Sequence, residues 1–272
     1  MKSNKFSERV SFFFDYKEAS DDKDEIIMEK HFHNLFEIYL IETGECRYFI
    51  DNKIYNIKRG DIVLIPQGVI HNTGYKNGNY SRMLINCSQK YIPASFNLYP
   101  KNGYIYRNPE VWDEIYSCFE KIMWEYKKKD NYSNDILENY TNILFLLILR
   151  NKNRYKNCDA KSSFIEEAVK YIQENCHNEI TLKSLAVKYS VSPEHFSREF
   201  KKTTSFTFNE YLNLLRLKKA QGLLKTSEKA EISKVAQQCG FNDSNYFSIK
   251  FKKMFGISPK QMQLSYKLLK NR

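Results

Sequence analysis

The amino-acid sequence predicts an α+β protein of two domains, an N-terminal β-barrel with following helices and a C-terminal all-α domain. Residues from about 5 to 110 contain short β-rich runs separated by turn residues, which is typical of a small barrel or sandwich. From about residue 109 the apolar residues recur at helical spacing instead. A polar, aperiodic stretch at 151–162 predicts a linker, so the expected domains are 1–150 and 163–272.

The strand predictions rest on alternating apolar residues and on the turn signals between them. Thr43, Gly44 and Glu45 separate two β-rich runs, and Arg59 and Gly60 belong to a second turn. The predicted strands are 37–41, 46–50, 53–57, 62–65 and 82–87. Because side chains alternate along a strand, every second residue of these runs is a candidate for the barrel interior.

The region after the strands predicts two helices, the second of which begins near Ser133 or Asn134. The apolar stripe of this second helix consists of Ile136, Leu137, Tyr140, Ile143, Leu144, Leu147 and Ile148. Phe145, Leu146 and Leu149 widen the apolar surface beyond one face. The pattern indicates either a homodimer contact or a helix enclosed between its own domain and a neighbouring domain.

Net charge is distributed unevenly along the chain. The whole chain has a net charge of +11, and residues 161–272 carry 20 Lys and Arg against 10 Asp and Glu. Almost all of the positive excess therefore lies in the C-terminal part. An excess confined to one region indicates a polyanionic partner for that region, although basic surfaces also serve solubility alone.

Membrane and secretion signals are missing from the sequence pattern. No apolar run reaches the ~18 residues that a membrane helix needs, and residues 1–15 lack the pattern of a signal peptide. The cysteines are scattered, form no CxxC pair, and are Cys46, Cys87, Cys118, Cys158, Cys176 and Cys239. Such cysteines favour reduced, packed thiols, so we expect a cytoplasmic protein without a membrane partner.

An internal repeat organises the C-terminal part. The pattern F-S-x-x-F-K-K occurs at 196–202 and again, 51 residues later, at 247–253. Each copy follows a short turn and a helix with a small residue, Ala186 or Ala236. Phenylalanines at i and i+4 bury one helix face, and the opposite face can enter a major groove. The repeat predicts two helix-turn-helix units joined by a helix at 209–224.

The exposed faces of the two recognition helices carry the candidate DNA contacts. The predicted base-reading residues are Glu194, Ser197 and Arg198 in the first unit and Ser244, Asn245, Ser248 and Ile249 in the second. The predicted phosphate contacts are Lys201, Lys202, Lys250, Lys252 and Lys253. Double-stranded promoter DNA is the expected partner, and RNA polymerase is a second one if the protein is an activator.

With these motifs, the chain over about 165–260 resembles the AraC/XylS family of bacterial transcription regulators. The segments 239–248 and 251–259 follow the family signature closely. Two departures are Ser205, where the family usually has Gly, and Ile249, where Arg is common. The resemblance implies a sequence-specific regulator whose N-terminal domain senses a small molecule. The residue at 249 favours a second unit that adds more affinity than sequence discrimination.

The N-terminal part resembles the two motifs of the cupin barrel. The pattern H-x-H-x3-E-x6-G at 31–44 matches the first motif, and G-x5-P-x-G-x2-H at 60–71 matches the second. In metal-binding cupins these positions hold a divalent metal, so the resemblance implies the candidate ligands His31, His33, Glu37 and His71. Tyr75 stands where such cupins usually have Asn after the last His.

A pocket for a small-molecule effector is the favoured use of this barrel, because barrel mouths are common ligand sites. The predicted lining residues are His31, His33, Glu37, Tyr39, Tyr48 and His71. Their aromatic and hydrogen-bonding groups suit a sugar or another small polar metabolite. The alternatives are a metal-dependent cupin enzyme with an accessory helical domain and a regulator without a ligand. We expect a regulator rather than an enzyme, and no catalytic residues are predicted.

Overall fold

The computed structural model of the chain contains two compact units, one within residues 8–160 and the other within 161–272. The first unit combines two antiparallel sheets with helices, and the second unit is helical, which confirms the predicted two-domain α+β fold. The candidate residue His31 and the predicted linker at 151–162 lie outside the described residues. The structure describes residues 11–20, 26–27, 33–51, 53–75, 79–98, 103–107, 111–150, 163–227 and 230–270.

The described part of the first unit contains nine strands, two α-helices and two short 3-10 helices, Gln89–Tyr91 and Ala94–Leu98. The strands are β1 (Phe12–Ser20), β2 (Ile26–Ile27), β3 (Phe36–Thr43), β4 (Glu45–Ile50), β5 (Lys53–Lys58), β6 (Asp61–Ile65), β7 (His71–Tyr75), β8 (Asn79–Cys87) and β9 (Tyr104–Arg107), and the helices are α1 (Trp112–Lys128) and α2 (Ser133–Arg150). One sheet has the order β1-β8-β3-β6-β9, and the other has the order β2-β7-β4-β5. The predicted strands correspond to β3, β4, β5, β6 and β8, while β1, β2, β7 and β9 were not predicted.

Strand β3 lies at the centre of the five-stranded sheet and contributes to two cores. Phe36, Ile38 and Leu40 belong to a buried cluster that includes residues of α1 and α2. Tyr39 and Ile41 belong to a second buried cluster, whose members come from both sheets. Because successive side chains of a strand point to opposite faces, β3 is buried on both sides, and its first six residues are all buried.

Helix α2 begins at Ser133, as the sequence predicts, and packs on the five-stranded sheet. Phe145, which widens the apolar surface in the sequence pattern, is fully buried in this packing. Ile143 and Leu146 remain 45% and 46% exposed. The homodimer contact stays a prediction. Among the helices described, none is both long enough and apolar enough to cross a membrane.

The second unit contains the two helix-turn-helix units that the repeat predicts. Its described helices are α3 (Phe164–Asn175), α4 (Leu182–Lys188), α5 (Pro193–Thr204), α6 (Phe208–Thr226), α7 (Ile232–Gln238), α8 (Ser244–Phe255) and α9 (Pro259–Lys270). Helices α4 and α5 form the first helix-turn-helix unit, α7 and α8 form the second helix-turn-helix unit, and α6 joins the two. Ser192 caps α5 by accepting from the His195 amide, and Asp243 caps α8 in the same way.

Each recognition helix is held by two phenylalanines one turn apart. Phe196 and Phe200 of α5 are fully buried, and so are Phe247 and Phe251 of α8. The ring centroids lie 5.8 Å apart in the first pair and 5.5 Å apart in the second. Ala236, on the preceding helix, is fully buried in the same cluster as the second pair. The small residue lets the two helices approach closely, as the repeat predicts.

The two helix-turn-helix units differ in their left-handed backbone positions. Ser190 and Ser205 have φ angles of 55° and 63°, whereas Gly240 and Gly256 at the corresponding places have 88° and 77°. A left-handed conformation costs a residue with a Cβ about 1–2 kcal/mol. The first helix-turn-helix unit therefore carries backbone strain at two positions where the second helix-turn-helix unit uses glycine.

Arg216 of α6 hydrogen-bonds the backbone just after the end of α3, beside the turn of the second helix-turn-helix unit. Its Nε donates to the Cys176 carbonyl at 2.7 Å, and its Nη2 donates to the Asn178 carbonyl at 3.0 Å. A Cβ atom at Gly240 would lie 2.8 Å from Arg216 Nε and 2.9 Å from the His177 carbonyl oxygen. Gly240 is thus required both by its positive φ and by the space that Arg216 occupies.

We expect Gly240→Ala to lower the free energy of unfolding of the C-terminal unit, residues 161–272, by about 2–4 kcal/mol. The substitution adds left-handed backbone strain to a steric clash. Gly222→Ala is the matched control, since Gly222 lies within α6 and a Cβ there would meet no described atom within 4 Å. This control should raise stability by up to ~1 kcal/mol. Urea unfolding followed by circular dichroism measures both, and equal effects would contradict the prediction.

Candidate effector pocket and nucleic-acid interface

Glu37 is the centre of a buried polar cluster between the two sheets. The residue is 3% exposed, and its carboxylate accepts a hydrogen bond from Tyr48 Oη at 2.6 Å. The other carboxylate oxygen lies 3.2 Å from His33 Nε2 and 3.5 Å from His71 Nε2. Three separate segments supply these neighbours: the residues before β3, strand β4 and strand β7. The cluster therefore forms only when the two sheets pack face to face, because Glu37 lies on one sheet and both Tyr48 and His71 lie on the other.

The backbone fixes the orientation of both imidazole rings. His33 Nδ1 lies 2.8 Å from the Leu35 carbonyl, and His71 Nδ1 lies 2.8 Å from the Val69 carbonyl. A carbonyl oxygen only accepts, so Nδ1 carries the proton in each ring. Both Nε2 atoms consequently face Glu37, either with a lone pair or with a second proton. The first form suits a metal ion, and the second suits an ion pair.

The electrostatics of the cluster favour the charged form of Glu37. Burial raises the pKa of this carboxyl, but the charge of His71 and hydrogen bonds from both imidazoles outweigh burial and hold the pKa well below its ordinary value. For His71, burial lowers the pKa, and Glu37 raises it more strongly, so the net direction is upward. Each group thus stabilises the charged form of the other.

The same donor atoms fit a divalent metal ion. The ligating atoms of His33, Glu37 and His71 all lie within 4.8 Å of one another. Hydrogen bonds from Nδ1 to backbone carbonyls are the usual means of orienting a metal-binding histidine. Two imidazoles and one carboxylate suit Fe, Mn, Ni or Zn. The fourth candidate ligand, His31, lies outside the described residues.

Tyrosines form the part of the interior next to Glu37. Tyr39, from β3, lies edge-on to Tyr48, with ring centroids 5.1 Å apart. The Tyr39 hydroxyl also hydrogen-bonds the hydroxyl of Tyr75, from β7. Tyr75 in turn stacks on Tyr80. Of the six predicted pocket residues, the structure places together His33, Glu37, Tyr39, Tyr48 and His71.

Strand β8 supplies buried polar residues that the sequence analysis missed. Tyr80, Arg82 and Asn86 are each at most 2% exposed, and their spacing places them on one face of the strand. Arg82 Nη2 donates to the Asp15 carboxylate at 2.6 Å, and Nη1 donates to the Asp15 carbonyl at 3.1 Å. The signal in the sequence was partial, because positions 80, 82 and 86 are polar but Leu84, on the same face of the strand, interrupts the pattern.

In the first recognition helix, the predicted base-reading residues lie on the solvent face of α5. Glu194, Ser197 and Arg198 are all exposed. Arg198 Nη2 lies 3.0 Å from His195 Nδ1, and Arg198 Nε lies 3.8 Å from the Glu199 carboxylate. Because guanidinium only donates, His195 accepts from Arg198. His195, which the sequence analysis did not select, is therefore a neighbour of the reading face.

The second recognition helix presents a different surface. Ser244 and Asn245 are exposed, and Ile249 is 68% exposed. Ser248 is half-buried, and its hydroxyl donates to the Ser244 carbonyl at 2.8 Å, so the helix itself uses this donor. The isoleucine on this face is largely uncovered by the described part of the chain and can contact a thymine methyl.

The predicted phosphate contacts lie toward the carboxyl ends of the recognition helices. Lys250 is half-buried, with its ammonium 5.1 Å from the centroid of the Tyr246 ring. The other four lysines are exposed and are Lys201, Lys202, Lys252 and Lys253. Exposed lysine side chains can turn toward phosphate oxygens, so this group of side chains suits contacts that position DNA without reading it.

Comparison with known proteins matches both units of the chain. A family described as the AraC-like ligand binding domain matches residues 16–137, and a helix-turn-helix domain family matches 185–265. The chain is 26% identical over 248 residues to the HTH-type transcriptional activator RhaS of Escherichia coli, covering 86% of this chain and 87% of RhaS.

Solved structures of two further proteins resemble the chain. ToxT from Vibrio cholerae is 16% identical, with a TM-score of 0.40, and the match covers 94% of this chain and 98% of ToxT. The C-terminal domain of the two-component response regulator yesN from Fusobacterium nucleatum is 37% identical, with a TM-score of 0.35. That match covers 37% of this chain and 99% of the yesN domain.

A ligand-binding domain joined to a double helix-turn-helix domain defines a transcription regulator. The two matched domains occur here in that order, and the relative RhaS aligns across both. The chain belongs to the AraC family of transcription regulators, as its sequence motifs predict.

The paired pKa shifts of Glu37 and His71 predict a pH-dependent stability in metal-free protein. The stabilisation from His71 is complete below its ordinary pKa of 6.5 and is lost as the pH rises through its raised pKa. The stabilisation from Glu37 is present above its ordinary value of 4.5 and is lost as the pH falls through its lowered pKa.

We therefore expect the Tm of the wild-type protein in EDTA to fall as the pH rises above about 6.5. His71→Gln should remove this part of the slope, and Glu37→Gln should do the same, because the pKa of His71 is raised by Glu37. Thermal unfolding at a series of pH values measures the slopes. A His71→Gln slope equal to that of the wild type would show that the ion pair does not form.

Proposed function

We propose that the N-terminal unit binds a small polar effector, such as a sugar, and that effector binding changes how the C-terminal unit binds promoter DNA. The observation that carries the proposal is the polar cluster of His33, Glu37, Tyr48 and His71. Interiors between sheets are normally apolar, and a buried set of converging polar groups is the usual feature of a ligand site. The cluster belongs to the ligand-binding unit of a DNA-binding regulator, which gives the ligand a regulatory role.

The role of the first recognition helix is to read bases through Glu194, Ser197 and Arg198. These residues share the exposed face of α5, opposite the buried Phe196 and Phe200. Arginine is the side chain that most often contacts guanine in the major groove, through two parallel hydrogen bonds. Arg198 is therefore the main sequence reader in this proposal.

The second recognition helix contributes through Ser244, Asn245, Ser248 and Ile249, with less discrimination. Its sequence holds no arginine, and the hydroxyl of Ser248 already donates to its own helix. Ile249 contributes apolar contact, which distinguishes bases less sharply than a pair of hydrogen bonds does. The phosphate contacts, which add affinity for any sequence, are Lys201, Lys202, Lys250, Lys252 and Lys253.

Arg198→Ala should relax the preference at one base pair, at a cost of about 1–3 kcal/mol for the preferred sequence. Lys252→Ala should weaken binding to all sequences alike and reduce the salt slope by about one. Genome-wide mapping of bound DNA in the native host identifies the preferred DNA sequence. Fluorescence anisotropy with single-base variants of that DNA then measures the affinity of each protein variant. A uniform loss of affinity in Arg198→Ala would overturn its assignment as a reader.

A divalent metal is a second candidate occupant of the pocket. The convergence of His33, Glu37 and His71, with each ring oriented through Nδ1, favours it. A bound metal would supply a positive charge and an open coordination position for an oxygen-bearing ligand. The family consists of transcription regulators, so the metal would serve ligand binding, and the cupin-enzyme alternative finds no support in the comparisons.

We expect purified wild-type protein to retain about one divalent metal ion per chain after desalting if this candidate is correct, and His33→Ala to lose it. His177→Ala is the matched control, because His177 is exposed and lies in the other unit. Elemental analysis measures the metal, and Tm with and without EDTA measures its effect on stability. A wild-type protein without metal would contradict the metal as an occupant of the pocket.

The proposal also includes a homodimer and activation of transcription. The exposed Ile143 and Leu146 of α2 support a homodimer, because they are spaced to lie on one helix face. Relationship to the activator RhaS supports activation, and hence contact with RNA polymerase. The domain boundaries at 150 and 163, and a cytoplasmic location, stay predictions.

A further inference from the structure

Arg198, the main sequence reader of the proposed function, is held by a hydrogen bond to His195, one turn earlier on α5. Arg198 Nη2 lies 3.0 Å from His195 Nδ1. A guanidinium group only donates, so Nδ1 is the acceptor and the neutral imidazole carries its proton on Nε2. The side chain of Arg198 is 69% exposed, and a long exposed side chain without such a contact samples many rotamers. His195 therefore restrains the residue that is assigned to reading DNA.

His195 is itself fixed at two points. Its ring stacks on the ring of Phe164, the first residue of α3, with centroids 6.2 Å apart and planes 17° apart. Phe164 in turn contacts the fully buried Phe196. The His195 backbone amide donates to Ser192 Oγ, which caps α5, at 3.1 Å. The half-buried imidazole thus presents to Arg198 an acceptor whose position is set by the packing of the first helix-turn-helix unit.

The acidic side chain nearest to Arg198 in sequence gives a weaker restraint. Arg198 Nε lies 3.8 Å from the Glu199 carboxylate, which also lies 4.0 Å from the Lys202 ammonium. Ion pairs between exposed side chains contribute little to a fixed geometry. The imidazole also differs from a carboxylate in carrying no negative charge. It orients the guanidinium without neutralising the positive charge that attracts DNA.

The second helix-turn-helix unit provides an internal comparison. The F-S-x-x-F-K-K repeat aligns His195 with Tyr246 and Arg198 with Ile249. Ile249 has no polar group that an acceptor could hold. The Tyr246 hydroxyl accepts instead from Nδ2 of Asn213 on α6, at 3.4 Å. The copy with a polar reader has an acceptor one turn before it, whereas the copy with an apolar residue directs the corresponding side chain to its own scaffold.

The contact with His195 leaves a pair of donors on Arg198 available. A guanidinium has five N–H donors, and His195 occupies one hydrogen of Nη2. The other hydrogen of Nη2 is parallel to a hydrogen of Nη1 or of Nε, so one fork of two donors remains. Such a fork matches O6 and N7 of guanine in the major groove. Arg198 can therefore bind guanine while it keeps its hydrogen bond to His195.

We infer that His195 is a positioning residue, which orients Arg198 toward a guanine in the DNA site. The Arg198 side chain is then ordered when the protein folds rather than when it binds DNA. Ordering one such side chain at an interface otherwise weakens association by about 2- to 12-fold. This inference rests on the proposed function, since it adds a specificity-determining residue to the first recognition helix.

The first test uses two substitutions that separate the acceptor from the ring. His195→Phe keeps a ring that can stack on Phe164 but removes the acceptor. We expect it to weaken binding to the preferred DNA by about 2- to 12-fold and to lower discrimination at the base pair that Arg198 reads. His195→Asn removes the ring but keeps an acceptor, because asparagine Oδ1 lies as many bonds from Cα as histidine Nδ1 does. It should retain most of the discrimination.

Fluorescence anisotropy with single-base variants of the preferred DNA measures discrimination in the full-length protein. Discrimination in His195→Phe equal to that of the wild type would overturn the inference. A larger loss in His195→Asn than in His195→Phe would assign the effect to the packing of the ring, and would overturn it as well.

Tyr246→Phe is the matched control, because Tyr246 occupies the corresponding position of the second recognition helix and the substitution removes only its hydroxyl. We expect the base preference of this variant to be that of the wild type, and the Tm of both phenylalanine variants to stay close to the wild-type value. A loss of discrimination as large as that of His195→Phe would show that the effect does not act through Arg198 and would contradict the inference.

A double-mutant cycle separates failure of this inference from failure of the proposed function. In an Arg198→Ala background, His195→Phe should cause no further loss of discrimination, because the residue that it positions is missing. If Arg198→Ala relaxes the preference but His195→Phe acts equally in both backgrounds, the inference is overturned and Arg198 remains the reader. If Arg198→Ala leaves the preference unchanged, the assigned reader is wrong, and the inference fails with it.

Discussion

The alternation of side chains along β3 is the constraint on which the N-terminal unit depends. Its outward residues join the sheet to α1 and α2, and its inward residues face the second sheet. Glu37 is one of the inward residues, so the packing of two apolar cores on either side fixes the position of a carboxylate. A shift of register by one residue would place Glu37 against the helices and Ile38 in the pocket. The apolar cores therefore maintain the polar site.

A similar relation between packing and presentation holds in the C-terminal unit, where two versions of one motif can be compared. The buried phenylalanine pairs are alike in α5 and α8, and they orient each helix so that its opposite face is exposed. The exposed faces differ, with Arg198 on one and Ile249 on the other. The turns differ as well, since the first unit places serines in left-handed conformations where the second has glycines. Shared packing thus allows divergent surfaces.

Much of the architecture could be predicted from sequence, because periodicity and the repeat report directly on which faces are buried. The strands that were missed show the limit of this method. β7 reads His-Asn-Thr-Gly-Tyr, which lacks an apolar alternation, and it is buried through its pairing with β4 and β2. Asn86 and Arg82 also went unselected, because a polar residue in an apolar strand is indistinguishable from a surface residue until its opposite neighbour is known. The register with Glu37 supplies that knowledge.

Arg216 has a consequence for how this regulator can acquire new targets. By fastening the end of α3 beside the turn at Gly240, it couples the scaffold of the first reading helix to that of the second. If both recognition helices contact DNA, a rigid link between them fixes the separation of the two contacted sites. Promoters that change single bases can be gained or lost gradually, whereas an inserted base pair between half-sites turns one of them away from its reader. Evolution of the set of controlled genes should therefore proceed through point substitutions at constant spacing.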